Sequence, residues 1–116
     1  IDFCVENFFN FFYIETDSDD IIEYTKKIAY GTVEMENVID EQIEKYSENW
    51  TLDRMVIIDR NILRFSVYEI LFVEEVPPLV SLNEAIEIGK IYGNSDSQRF
   101  INGILDKIVK KMGKKE

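Results

Sequence analysis

The chain has 116 residues, 46% of them hydrophobic, which is enough apolar content for one packed core and too little length for two. It holds no His and one Cys, which excludes the usual zinc sites, Ser-His and Cys-His nucleophiles and an intrachain disulfide. The net charge of −10 is carried by one half: residues 1–50 have thirteen acids against three lysines, whereas residues 51–116 balance ten acids with ten bases. A surface that meets phosphate is therefore expected in the second half.

In chain order, Val5, Phe8, Phe9 and Phe12 share one helical face and predict a short amphipathic helix over residues 3–13. Residues 16–20 are a polar turn offering N-caps of the right charge for a helix start. From Ile21 the apolar spacing runs to Tyr46 as one long helix, or as two interrupted near Gly31 or Asn37. Ser47-Glu48-Asn49 ends it, and Thr51 is expected to cap a short turn through Arg54.

Met55 to Val73 contains neither Gly nor Pro and is apolar over most of its circumference, as suits the central helix of a bundle. Its polar column, Arg60, Arg64 and Tyr68 with Asn61 beside it, must face solvent, a partner or an internal acid. Pro77-Pro78 ends this element. Ser81 and Glu84 carry a capping-box spacing that predicts the next helix start, and Gly93 stands where that helix would be capped. Ser95 with Gln98 predicts a second capping box. In the last helix Ile101, Ile104, Leu105, Ile108 and Met112 form the inward stripe, and Phe100 lies about 100° away from its centre. No stretch alternates with period two. The expected fold is all-α, a single compact bundle of five to six helices.

No Gly-rich phosphate loop and no metal-ligand spacing appear, and the many acids read as a solvated face, so binding is expected rather than catalysis, with no cofactor and no metal. Phe100 suits stacking on an unpaired base, or packing on a neighbouring helix. Tyr92, Asp96 and Arg99 lie close to it in sequence and would complete a grip on a base and its phosphate. Arg60 and Arg64 suit either an interaction surface or ion pairs to the acidic first half. Lys110, Lys111, Lys114 and Lys115 read as a solubilising tail or as phosphate contacts. With one cysteine, no signal-like start and no apolar run near the ~20 residues needed for a span, the expected compartment is the cytoplasm and no membrane is involved.

Four segments in order, Trp50, D-R-N-I-L-R (59–64) with Tyr68-Glu69, N-E-A-I-E-I (83–88) and F-I-N-G-I-L-D (100–106), resemble the NusB family of transcription antitermination factors over roughly residues 20–110. The resemblance implies an all-helical protein that binds single-stranded boxA RNA with the ribosomal protein NusE, in a complex that joins RNA polymerase on ribosomal RNA operons. It implies RNA contacts at Asp96 and Phe100, with Tyr92, Arg99 and Tyr46, and a NusE-facing surface around Asp59 and Arg60. One departure stands out: the family begins with an arginine-rich helix that nothing here matches, and the chain starts at Ile1, so a missing N-terminal piece is expected. Its loss would weaken phosphate contact and leave the Phe8/Phe9/Phe12 face uncovered, inviting a homodimer. Two other readings are a protein-interaction bundle without RNA affinity, and the RNA-targeting module that fronts some RNA cytosine methyltransferases.

Overall fold

Residues 57–72, apolar over most of their circumference, form the helix that every other described helix packs against. The computed structural model describes residues 19–48 and 50–113. Five α-helices lie there: α1 (Asp19–Glu34), α2 (Glu36–Tyr46), α3 (Ile57–Phe72), α4 (Pro78–Tyr92) and α5 (Ser97–Gly113), with a 3-10 turn at Leu52–Arg54. No strand occurs among the described residues. The fold is all-α, as expected. The helix over 3–13 and the caps at 16–18 fall outside the described residues, as do Lys114 and Lys115. No described helix is long and apolar enough to cross a membrane.

The core is built from i, i+4 pairs: Ile39 and Ile43 of α2, Leu63 and Val67 of α3, and Ile101 and Leu105 of α5 are all fully buried. Each contributes about 1.5–3 kcal/mol on removal from water. Leu82 and Ala85 of α4 close the cluster.

The long first stretch is two helices interrupted at Met35 (φ −100°, ψ 18°), near Asn37 as the second alternative expects. The Met35 N–H still reaches the Gly31 carbonyl (2.9 Å) and the Ile39 N–H the Met35 carbonyl (3.0 Å), so the interruption breaks no ladder bond there. Three details differ from the sequence reading, each for a physical reason. Thr51 does not cap its turn with its side chain; its hydroxyl donates to the Asp53 carboxylate instead. Ser81 is not an N-cap: α4 already starts at Pro78, whose missing N–H costs nothing in a first turn. Ser81 is buried one turn into the helix, and its hydroxyl donates to Glu69 of α3 (2.5 Å). The Ser95–Gln98 box is likewise absent. Asn94 organises that corner, its side-chain oxygen accepting the Asp96 N–H (2.9 Å) while its own N–H donates to the Ser97 hydroxyl (2.9 Å). Gly93 does end α4, with φ −90°, in ordinary backbone space; a side chain there would collide with Ser97.

The polar column of α3 finds internal partners. Arg64 donates two parallel hydrogen bonds to Asp40 of α2 (2.8 and 3.0 Å) and lies 3.5 Å from Glu36, so the acidic first half does receive it. Tyr68 lies over Gly31, where a Cβ would overlap the phenol ring; only a glycine lets α1 approach α3 this closely. Glu69 accepts hydrogen bonds from Tyr24 of α1 (2.6 Å) and from Ser81, so one carboxylate joins α1, α3 and α4.

Candidate nucleic-acid interface

Helical phase puts Phe100, Gly103, Lys107 and Lys111 of α5 on one face, because residues three or four apart stand one above the other. The segment leaving α2 runs beside this face in the opposite direction. Trp50 meets Phe100 edge to face, with ring centroids 6.5 Å apart at 79°. Glu48 accepts from Lys107 at 3.0 Å. Tyr46 lies against Lys111, whose ammonium is 5.8 Å from the ring centre, and against Lys45 at 5.5 Å. The result is a strip with aromatic rings at one end and a ring topped by two cations at the other.

Phe100 packs against the core cluster and Trp50, as the packing alternative expects, and keeps an exposed portion. Trp50 is 52% exposed, an unusual degree for the chain's single tryptophan. At the cationic end, two like charges share one ring. Lys111 beside it pulls Lys45 below the ordinary lysine range, as a like charge does. Among the described residues neither lysine is in a salt bridge. Such a pair is a ready place for an anion.

The remaining sequence candidates collect around the α4–α5 corner. Tyr92 is 67% exposed at the end of α4, and Asp96 and Arg99 are exposed at the start of α5. The Phe100 N–H donates to the Asp96 carbonyl (3.0 Å), which places this corner one helical turn from the aromatic end. Tyr46 lies at the other end of the strip, away from that group. Trp50, Lys45, Glu48 and Lys107 were absent from the sequence reading as site residues. The phase of Lys107 and Lys111 relative to Phe100 was the available signal; the pairing of α5 with residues 45–50 joins distant segments and leaves no local trace. Among the described residues no group of three His, Cys, Asp or Glu could hold a metal ion.

Residues 4–110 match the sequence model of the NusB family. The chain belongs to the NusB family. It is 52% identical over 95 residues to "Transcription antitermination protein NusB" of Desulfitobacterium hafniense, a match covering 82% of this chain and 64% of that protein. A protein of the same name from Thermodesulfovibrio yellowstonii is 46% identical over 106 residues, covering 91% of this chain and 70% of the relative. Among solved structures, T. maritima NusB superposes with a TM-score of 0.79 at 42% identity, over 84% of this chain and 68% of that one. A chain in the crystal structure of a plectonemic RNA supercoil superposes at 0.82 with 29% identity, over 90% of this chain and 75% of that one.

In this NusB-family chain the D-R pair opens α3. Asp59 is only 5% exposed, and its Oδ1 has no hydrogen-bond partner among the described residues. Arg60 reaches the Leu52 carbonyl through Nη1 (3.4 Å), while its buried Nε has no partner there. What this end of α3 shows to solvent is apolar: Val56, Ile57 and Ile58.

Proposed function

We propose that this chain is a transcription antitermination factor that binds single-stranded boxA-type RNA together with the ribosomal protein NusE, within an RNA polymerase complex on ribosomal RNA operons. It acts by binding, without catalysis. The observation that carries the reading is the strip on α5. The half-buried ring of Phe100, braced by Trp50, suits an unpaired base, and Lys45 and Lys111 suit the backbone phosphates that follow. Tyr92, Asp96 and Arg99 would hold the base nearest the α4–α5 corner, and Tyr46 would order the cationic end. The exposed Val56, Ile57 and Ile58 beside the buried Asp59 and half-buried Arg60 are the surface we assign to NusE, since an exposed apolar patch favours a protein partner. The names of the relatives and the RNA-containing structural neighbour support this reading.

The test is an anisotropy titration of labelled boxA-type RNA against the chain mixed with NusE, with a scrambled RNA of equal length as control. Preference for the boxA-type RNA is expected. Phe100→Ala should weaken it by about 1–3 kcal/mol with the fold intact, the usual worth of one stacked base. Equal affinity for both RNAs, or an unchanged affinity in Phe100→Ala, would favour a protein-interaction bundle instead.

A further inference from the structure

Glycine is the poorest helix former after proline, and Gly103 lies in the middle of α5. Gly31, Gly89 and Gly93 are each crowded: added side chains would meet the Tyr68 ring, the Ile101 Cδ1 at 2.8 Å and Ser97 respectively. Gly103 is different. A Cβ there would have nothing within 4 Å, the backbone is ordinary right-handed helix, and the residue is exposed. Among the described residues, neither packing nor conformation asks for glycine at this position. Alanine would fit and would favour the helix.

Its place on the strip supplies the missing reason. Gly103 follows Phe100 by three residues and precedes Lys107 by four, so it is a gap in side-chain cover between the aromatic end and the first cation. On one side of the gap is a stacking platform, and on the other are ammonium groups. A glycine lets another chain lie against helix backbone where any side chain would hold it off. We infer that Gly103 is a seat for the RNA backbone, where the sugar–phosphate chain passes directly over α5 between a base stacked at Phe100 and phosphates held by Lys107 and Lys111. This rests on the RNA-binding reading above and adds to it a contact made by an absence of side chain. It sets the path of the strand along the helix rather than across it.

The test compares wild type, Gly103→Ala, Gly103→Leu and Phe100→Ala, each by thermal melting and by titration with the labelled boxA-type RNA. Gly103→Ala is expected to raise the melting temperature and yet to weaken RNA binding about tenfold, with Gly103→Leu weaker still. A melting temperature that falls in Gly103→Ala would mean an intramolecular reason for the glycine and would overturn the inference. Wild-type affinity in both glycine variants, with binding still reduced in Phe100→Ala, would overturn it while leaving the RNA reading standing. No RNA binding by wild type would remove that reading first, and this inference with it.

Discussion

Trp50 and Phe100 meet nearly at right angles, their ring centroids 6.5 Å apart, so the tryptophan braces the phenylalanine from outside the core. An edge-to-face pair is worth about 0.5–1.5 kcal/mol beyond the area it buries. Trp50→Ala should therefore lower RNA affinity by about 1 kcal/mol through a less firmly held Phe100, and Trp50→Phe should retain most of it. Anisotropy titrations of the two variants check this; equal losses would mean that the indole itself contacts RNA.

Glu48 occupies Lys107, and any phosphate reaching that lysine must displace it. Both side chains are largely exposed, so the pair adds little to stability. Glu48→Gln is expected to leave urea denaturation almost unchanged, tighten RNA binding and steepen its salt dependence. Freed of the Glu48 carboxylate, Lys107 would contribute its full share of counterion release on meeting phosphate, about 0.7 in the log–log slope on a single strand. A slope identical to wild type would mean Lys107 meets no phosphate.

Among the described residues Arg64 and Asp40 form the best-made ion pair, two parallel hydrogen bonds between partly buried side chains of α3 and α2. Asp40 is the first cause of the raised Arg64 pKa. Asp40→Asn should destabilise the chain by about 1–3 kcal/mol, because it leaves a desolvated guanidinium short of its charge partner. RNA affinity of the folded variant should not move. Urea denaturation with parallel titration separates the two effects.

Gly31→Ala should cost about 1–3 kcal/mol, since its methyl would overlap the Tyr68 ring, itself packed on Phe72 at 5.4 Å. Replacing Tyr68 with Ala in the same chain should absorb much of that cost, making the two substitutions less than additive. Additive losses would place the strain elsewhere in α1.

Tyr24 gives a pH signature. Partial burial, then the hydrogen bond and charge of Glu69, hold its phenol well above the ordinary range. An unfolded tyrosine ionises near ~10, so the stability this contributes is complete below that pH and is lost as pH climbs toward the folded value. The stability gap between wild type and Tyr24→Phe should therefore narrow with rising alkaline pH. A constant gap in urea midpoints would contradict it.

The sequence carried the fold because its strongest signals are local. The largely apolar character of residues 57–72 marked the central helix, and the i, i+4 pairs Ile39/Ile43 and Ile101/Leu105 marked the faces turned toward it. Signals shared by two structures were misread. A Ser followed three residues later by Glu describes a capping box, but equally a buried serine whose hydroxyl answers a carboxylate twelve residues upstream, as Ser81 answers Glu69. Pro77-Pro78 reads as a stop for α3, but α3 already ends at Phe72 and the pair instead opens α4, with Pro78 in its first turn. At the candidate site Phe100 was visible because its phase was wrong for the core. Lys45, Glu48 and Trp50 were not, because their partners lie on α5 and only the folded chain brings them together.

That two-sided construction has a thermodynamic corollary. The strip draws one edge from residues 45–50 and the other from α5, so an unfolded chain has no equivalent surface, and a bound strand would act as a cross-brace between the two halves of the sequence. If the chain binds RNA as proposed, folding and RNA capture become one linked equilibrium, in which RNA at a hundred times its dissociation constant would add about 2.7 kcal/mol to the stability of the chain. On that condition a variant destabilised by about 1–3 kcal/mol, such as Asp40→Asn, would recover much of that loss when saturated with RNA.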